Sequence, residues 1–452
     1  MCQSDQPIHF TWRKLHLVGT VQSGVGTRWK VAFPMVDLAT NVEATHVNRC
    51  RSCEREGLRL FLDLGSTPIA NALLAPDADL TAEKSYPLAL AFCENCSLVQ
   101  LAFELPAEAI FDEHYPYYSS FSTELCVHAE AHATQLLTSR KLGCDSLVVE
   151  LASNDGYLLR NFVAAGIPVL GIDPSPGPAV EAEKVGVPTL IEFFNAQLAT
   201  KLREDGQVAD VIIANNVMAH VPDLNGFVEG MAILLADDGI ITIENPYVRE
   251  LIQNVEFDGV YHEHFSYFSC MAVNSLMRRH GLYLNDVELF QDLHGGTLRW
   301  SIGKNDERSA RAAEYLAEEE NLGMQTFDFY RQFGDAVKRS SDALRELLTQ
   351  LREQGKSIAA YGAAAKGATL LNSIGIGGEL LSYVVDRNWH KQNMLMPGCH
   401  LPICDPVILT TNPPDYLLLL AWNFKHEIMV QLESYTNAGG RFIVPVPYPQ
   451  VL

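Results

Sequence analysis

Two pairs of cysteines near the amino terminus have the spacing of a metal site. Cys50 and Cys53 form one C-x-x-C knuckle, and Cys93 and Cys96 form a second. Each knuckle turns two thiolates toward one point, and four thiolates about 2.3 Å from the ion complete a tetrahedral zinc site. Because this ligand set is closed, we predict a structural zinc ion. The alternative is a group of buried free cysteines.

A strand followed by a small-residue turn is typical of a nucleoside site. Residues 147–151 predict the strand and residues 152–156 the turn, and a helix starts near Tyr157. The next strand ends at Asp173, where a carboxylate can bind both ribose hydroxyls. The turn is not G-x-G-x-x-G, so it favours S-adenosylmethionine (SAM) over NAD; an ordinary α/β crossover is the alternative. The predicted cofactor residues, including two asparagines after a later strand, are Glu150, Ala152, Asn154, Asp155, Gly156, Asp173, Asn215 and Asn216.

The run Tyr261-His262-Glu263-His264 contains residue types that transfer protons. Histidine titrates near neutrality and is suited to removing a proton next to a ketone. On a strand, His262 would face the same side as His264, and Glu263 the other. His220, which follows another predicted strand at the ligand-binding edge, is a second candidate base. A metal site or a polar loop is the alternative for the H-x-H pattern.

A second strand, small-residue turn and helix start occupy residues 357–367. Backbone N–H groups at such a helix start can hold phosphate, and Lys366 adds a positive charge. Asp386 and Lys391 follow the next strand, at the same edge of an open α/β sheet. A second nucleotide-type site is consistent with a substrate that carries a nucleoside diphosphate. The alternative is a scaffold domain without a ligand.

These motifs, in this order, resemble those of the nucleotide-sugar C-methyltransferases, which place a methyl group on C-3 of 4-keto-deoxysugars. The resemblance covers about residues 48–446. It rests on the cysteine pairs and on Y-P-Y-x-S-S at 115–120, E-x-x-x-N-D-G at 150–156, N-N-x-x-x-H-x-P at 215–222, Y-x-E-H-F at 261–265, H-G-G at 294–296, Y-G-A-x-x-K at 361–366 and K-Q-N/P-G-x-H-x-P at 391–402. One departure is Ala152, where the family usually has glycine.

The resemblance implies a role for individual residues. His264 is the implied base, Tyr261 hydrogen-bonds in the same pocket, and Glu263 positions the imidazole or holds a sugar hydroxyl. His220 remains the second candidate base. The implied substrate residues, in a lid, an active-site loop and the second turn, are Tyr115, Tyr117, His294, Gly295, Gly296, Lys366, Asp386 and Lys391.

The implied function is SAM-dependent C-methylation at C-3 of a nucleotide-linked 4-keto-6-deoxysugar. One alternative is an O-methyltransferase acting on a sugar or another small molecule, which needs no proton removal from carbon. The other is a non-catalytic, zinc-stabilised protein that binds nucleotide sugars.

Alternating strands and helices must position these residues. Strands are predicted in one block over 147–151, 169–172, 211–214 and 239–244, and in a second block over 357–361, 383–386, 416–421 and 441–444. These short apolar runs predict two parallel-sheet blocks, and residues 309–353 predict one or two long helices between them. The fold class is α/β, with an N-terminal zinc-binding domain, a central Rossmann-like SAM methyltransferase domain and a C-terminal second Rossmann-like α/β domain. Residues 1–46 lack clear periodicity and are either a loose leader or an edge strand. The other predicted limits are 47–105 for the zinc-binding domain, 106–305 for the methyltransferase domain, and 306–452 for the helical bridge and the C-terminal domain that anchors the nucleotide sugar.

Composition excludes several classes of protein. The 452 residues include 33 basic and 55 acidic side chains, a formal net charge of −22. Phosphate contacts need clustered Lys and Arg, so we predict neither a nucleic-acid nor a membrane partner. No apolar run reaches the roughly 18 residues of a membrane span, and a continuous apolar signal segment is missing. We predict a cytoplasmic protein; the sequence does not predict its oligomeric state.

Overall fold

The computed structural model describes residues 43–106, 118–291, 293 and 295–452. Most of the predicted leader lies outside these ranges, as do Tyr115, Tyr117 and His294. Within the ranges, no helix is both long enough and apolar enough to cross a bilayer.

Residues 43–106 form antiparallel strands around the two cysteine knuckles. β1 pairs with β5, and β2, β3 and β4 are neighbours in a second sheet. The strands are β1 (Thr45–His46), β2 (Arg59–Thr67), β3 (Tyr86–Phe92), β4 (Val99–Leu101) and β5 (Phe103–Glu104).

The central segment is built around one seven-stranded sheet. Its elements are α1 (Thr123–Arg140), β6 (Val148–Leu151), α2 (Leu159–Ala164), β7 (Val169–Ile172), α3 (Pro176–Lys184), β8 (Thr189–Leu190), α4 (Ala196–Glu204), β9 (Ala209–Asn215), α5 (Leu224–Leu234), β10 (Leu235–Pro246), α6 (Val248–Gln253), β11 (Ser266–Tyr267), α7 (Cys270–Arg279), β12 (Tyr283–Phe290) and β13 (Thr297–Gly303). The strand order is β12–β13–β10–β9–β6–β7–β8, and β13 is antiparallel to both of its neighbours. The strand order reverses between β6 and β9, which is where open α/β sheets bind ligands.

The carboxyl-terminal segment carries a second parallel sheet preceded by three helices, where the sequence predicts one or two. Its elements are α8 (Ala310–Asn321), α9 (Phe327–Arg331), α10 (Phe333–Glu353), β14 (Ile358–Tyr361), α11 (Ala365–Ile374), β15 (Val384–Val385), β16 (Ile403–Cys404), α12 (Ile408–Thr411), β17 (Tyr416–Leu419), α13 (Lys425–Gln431), α14 (Glu433–Asn437), β18 (Arg441–Val444) and β19 (Gln450–Val451). The order β16–β15–β14–β17–β18–β19 again reverses beside the first strand, and only β19 pairs in the antiparallel sense.

The three segments are not separate bodies. Strand β11 leaves the central segment and extends the amino-terminal sheet, in the order β11–β4–β3–β2, with Ser266 opposite Gln100. One buried core joins apolar side chains of β2 and β3, of the stretch around β11 and of the carboxyl-terminal sheet. The predicted domain limits stay predictions, and the β11–β4 pair crosses one of them.

Candidate active site and metal centre

The four knuckle cysteines come together as one cluster. Their sulfur atoms all lie within 4.8 Å of one another, with 3.4 Å between Cys50 and Cys96 and 3.6 Å between Cys53 and Cys93. Four sulfurs about 2.3 Å from one zinc ion in a tetrahedron lie roughly 3.8 Å apart, so the spacing fits zinc. Contacts with Cys50 and Cys96 lower the pKa of the Cys93 thiol, whereas contacts with Cys93 raise the pKa of Cys50 and contacts with Cys50 and Cys93 raise that of Cys96.

The turn after β6 has an unusual backbone. Ala152, Asn154 and Gly156 all have positive φ, at 57°, 49° and 75°. A Cβ atom on Gly156 would lie 3.1 Å from Val187, so the turn packs tightly against the neighbouring crossover. The side chain of Asn154 accepts a hydrogen bond from the backbone N–H of Ser119 at 2.9 Å. Part of the tyrosine- and serine-rich motif therefore closes over this turn.

The left-handed backbone at Ala152 gives a stability prediction. A residue with Cβ costs roughly 1–2 kcal/mol in this conformation, and glycine adopts it freely. We expect Ala152→Gly to raise the free energy of unfolding by up to about 1 kcal/mol in urea denaturation. The matched control is Ala164→Gly at the end of α2, which is expected to lower it by a similar amount. Equal loss in both variants would contradict the interpretation.

Three acids surround the turn and give it the character of a cation and hydroxyl site. Glu150 is buried, and burial followed by the charges of Asp173 and Asp155 raises its pKa well above the usual range. Among the described residues, no group donates to Glu150 Oε2 or Asp155 Oδ1. SAM supplies ribose hydroxyls, an ammonium group and a positive sulfonium, so these acceptors fit it.

Two aspartates brace the turns of the two parallel sheets in the same way. Asp173, after β7, accepts hydrogen bonds from the backbone N–H of Asn154 at 2.9 Å and of the residue two positions beyond itself at 2.8 Å. Asp386, after β15, accepts them from Ala363 at 2.7 Å and again two positions beyond itself at 2.8 Å. Each carboxylate therefore holds the preceding turn.

The carboxyl end of β9 carries the predicted asparagines and His220. Asn216 has a positive φ of 52°, and its N–H donates to the carbonyl of Glu244 on β10 at 2.7 Å. Asn245 then accepts from the N–H of Ala219 at 3.3 Å, which fixes the 3₁₀ turn that carries His220. Burial lowers the pKa of His220 to about 4, so this imidazole is neutral at pH 7.

The candidate base lies in a tight turn rather than on a strand. The N–H of His264 donates to the carbonyl of Tyr261 at 3.0 Å, so His262 does not share a face with His264. His262 turns instead to the carbonyl of Tyr86 at 3.3 Å. Tyr261 Oη and His264 Nε2 are 2.8 Å apart, and the centres of the His264 and His220 rings are 4.6 Å apart. The two candidate bases therefore share one site.

The two described glycines of the H-G-G motif lie against carboxylates. A Cβ on Gly295 would lie 2.6 Å from Glu256 Oε2, and one on Gly296 would lie 2.8 Å from the Glu250 side chain. Burial raises the pKa of Glu256 to about 7, while the charge of Lys366 opposes that shift. Gly295 and Gly296 also have positive φ, at 90° and 118°, which favours glycine, so the motif has a backbone reason in addition to the predicted substrate role.

Lys366, near the start of α11, faces the central segment. Its Nζ lies 5.1 Å from the centre of the Trp422 ring. Trp422 Nε1 donates to Asp258 Oδ2 at 2.6 Å, and the charge of Lys366 opposes the rise that burial causes in the Asp258 pKa. Lys391, the other predicted cation, donates to the carbonyl of Ala363 at 2.7 Å. Sequence reasoning missed Asp258 and Trp422, because nothing local marks residues so distant in the chain as neighbours.

One curated protein decides the family. C-methyltransferase NovU of Streptomyces niveus is 34% identical over 409 residues, which are 90% of this chain and 97% of that protein. The chain belongs to the C-methyltransferase family. Profiles of three domain families match this C-methyltransferase in order: a zinc binding domain over residues 50–111, a methyltransferase domain over 127–287 and a C-methyltransferase C-terminal domain over 292–447. The C-methyltransferase is SAM-dependent, and SAM and zinc are its cofactors.

Two solved methyltransferase structures match part of this chain at low identity and low TM-score. Magnesium protoporphyrin IX methyltransferase from Synechocystis PCC 6803, with bound SAM, is 15% identical with a TM-score of 0.32, and the match covers 40% of this chain and 79% of that chain. The glycopeptide N-methyltransferase MtfA, also with SAM, is 13% identical with a TM-score of 0.31, and covers 39% and 94%.

Proposed function

We propose that this C-methyltransferase transfers the methyl group of SAM to C-3 of a nucleotide-linked 4-keto-6-deoxysugar, with His264 as the base. The observation that carries the proposal is the close group of Tyr261, His264 and His220 beside the carboxyl end of β9. A carbon next to a ketone becomes a nucleophile only when a base removes its proton, and C-methylation needs that step.

Each side chain of the group has a part in the reaction. His264 takes the proton from C-3, and the electron pair of the broken C–H bond forms the enolate with the 4-keto oxygen. Tyr261 hydrogen-bonds His264 Nε2 and fixes the ring. His220, neutral at pH 7, packs against the same imidazole. SAM, when bound, would supply the electrophilic methyl group: the S–CH3 bond would break as the enolate carbon forms the new C–C bond, and S-adenosylhomocysteine would leave.

The cofactor residues follow the edge where the strand order reverses. We propose that Glu150, Asp155 and Asp173 bind the hydroxyl and ammonium donors of SAM. The turn at Ala152, Asn154 and Gly156 approaches its nucleoside, with Asn215 and Asn216 on the opposite side. The buried acceptors described above support this arrangement. The four clustered cysteines hold the structural zinc ion.

The substrate's nucleotide is proposed to bind at the second parallel sheet. Lys366 and Lys391 carry positive charge beside the turn after β14, and Asp386 holds that turn. Binding energy from a remote nucleotide can orient the sugar at the base. Gly295 and Gly296 then line the sugar site, and Tyr115, Tyr117 and His294, outside the described residues, stay predicted substrate residues.

Replacing Lys366 tests the anchor. Lys366→Ala is expected to weaken nucleotide-sugar binding by about tenfold or more, because a charge-assisted contact to phosphate is lost, while SAM affinity stays unchanged. Isothermal titration with each ligand measures both values. Lys356→Ala, which removes a half-exposed lysine paired with Asp415 in the same segment, is the control. Equal weakening for both ligands would indicate a general folding defect and contradict the anchor.

The function itself is tested by product mass. Purified enzyme is offered SAM and a panel of thymidine-diphosphate 4-keto sugars, and each product is examined for a gain of one methyl group and for its position. Methyl on C-3 is expected. A methyl group on oxygen would support the O-methyltransferase alternative, and tight binding without turnover would support the non-catalytic one.

A further inference from the structure

The turn that carries the candidate base is held by the other two segments of the chain, and they meet at one carboxylate. Glu263 is almost completely buried, at 2% exposure. Its Oε1 accepts a hydrogen bond from the side-chain amide of Asn71, in the amino-terminal segment, at 2.7 Å. Lys391, in the carboxyl-terminal segment, lies close enough for its charge to favour the ionised form of Glu263. A buried carboxylate needs such partners.

The two partners of Glu263 belong to one connected framework. The backbone around Asn71 is a tight turn, with the N–H of Leu73 donating to the Asn71 carbonyl at 2.9 Å. Leu74 exchanges two backbone hydrogen bonds with Leu395, at 3.0 and 2.8 Å. Lys391 precedes Leu395 in the same stretch of chain, residues 391–397, which we call the docked stretch. The backbone stretches that carry Asn71 and Lys391 are therefore hydrogen-bonded to each other.

A second contact holds the turn that carries the candidate base, residues 261–264 (the base turn), at its other end. Strand β11 follows His264 and Phe265 directly and pairs with β4 of the amino-terminal sheet. The N–H of Leu101 also donates to the carbonyl of Phe265 at 3.0 Å. The amino-terminal segment thus hydrogen-bonds to the base turn at Glu263 and again just after His264.

We propose that Asn71 is a positioning residue of the methyl-transfer site: its amide holds the Glu263 carboxylate in one orientation, so that the zinc-bearing segment helps to place His264. Asn71 acts through Glu263 and need not touch the substrate. The effect on turnover rests on the proposed function, whereas the coupling between Asn71 and Glu263 does not.

The first test needs no substrate. Burial raises the pKa of Glu263 to about 7, above the value of about 4.3 in an unfolded chain. Glu263 therefore stabilises the fold fully at low pH, and this contribution is lost as pH rises through the folded-state pKa. The other groups near this carboxylate are Lys391 and the neighbouring His264, Tyr261 and His220. Asn71→Ala removes a donor that favours the ionised form, so the pKa of Glu263 rises further.

The expected result is a loss of stability in Asn71→Ala, relative to wild type, that grows with pH. If the pKa of Glu263 rises by about one unit, the ratio of the unfolding constants of Asn71→Ala and wild type grows roughly tenfold between pH 5 and pH 9. In a Glu263→Gln background the growth disappears. Asn71→Leu keeps the volume, removes the donor and should behave the same as Asn71→Ala. A loss of stability that is equal at both pH values would overturn the proposal. So would a loss that still grows with pH in the Glu263→Gln background.

The second test measures turnover. Asn71→Ala is expected to lower kcat at pH 7 by about ten- to hundredfold, as a misplaced catalytic group does, with SAM affinity unchanged and the acid limb of the rate profile moved to higher pH. The control is Asn372→Ala, another half-buried asparagine whose amide donates to Pro397 of the docked stretch at 3.0 Å. If the wild type turns over and Asn71→Ala has the same kcat, the positioning role is overturned. Absent turnover in wild type would overturn the proposed function, while the unfolding measurement would still decide the coupling.

Discussion

His264→Ala is expected to lose both methyl transfer and proton exchange at C-3 while it keeps its affinity for SAM. Removing a general base typically costs on the order of 10²–10⁴ in rate, and the acids proposed to bind SAM are unchanged. The measurement uses substrate, S-adenosylhomocysteine and heavy water, because deuterium entry at C-3 reports the proton step without methyl transfer. Wild type should exchange and the variant should not.

Three further variants make the assignment of the base specific. His220→Ala should cost less, because the ring of His220 packs against His264 but is not the proposed base. Tyr261→Phe removes the 2.8 Å contact with Nε2 and should cost an intermediate amount. His280→Ala, which loses a contact with Asn225 on α5, should match wild type. If His220 is essential and His264 dispensable, the proposed base is wrong.

Cys93→Ser is expected to lower zinc content and soluble yield together. Binding of structural zinc provides about 10–16 kcal/mol in zinc-finger peptides, and that free energy is folding free energy. In this chain the effect reaches beyond the knuckles, because Cys50, Cys93 and Cys96 belong to the same buried core as Trp300 of the central sheet. Metal analysis and thermal unfolding of the purified protein measure both effects.

The control for the zinc prediction is Cys144→Ser, which replaces an exposed thiol outside the cluster. It should leave zinc content and stability unchanged. A Cys93→Ser protein that keeps one zinc ion and unfolds at the wild-type temperature would contradict the four-cysteine site. Removal of the ion from wild type by a strong chelator should reproduce the defect of the variant.

Local sequence was sufficient where a strand is buried on both faces. The predicted strands 169–172 and 441–444 match β7 and β18 to the residue, because parallel strands covered by helices are continuous apolar runs. Strand β12 escaped prediction, since its burial alternates and it contains Asn285, Asp286 and Glu288. The short β15 is part of the predicted run 383–386.

The candidate site, too, could be predicted only where local sequence carried the signal. The spacing of the cysteines was enough to predict a cluster, and the strand ends correctly placed Asp173 and Asp386 beside their turns. The partners of the base turn could not be predicted, because Asn71 contacts Glu263, and Asp258 contacts Trp422, only after the whole chain has folded. Such contacts leave no periodic signal in one sequence.

The pairing of β11 with β4 bears on how the protein is made. A ribosome releases β4 long before β11, since residues 102–265 lie between them, and synthesis at about 5–20 residues per second leaves β4 without this neighbour for roughly 10–30 s. During that time the nascent amino-terminal sheet has an open edge, which favours association with other chains. A fragment of residues 43–106 would keep that edge permanently and should self-associate.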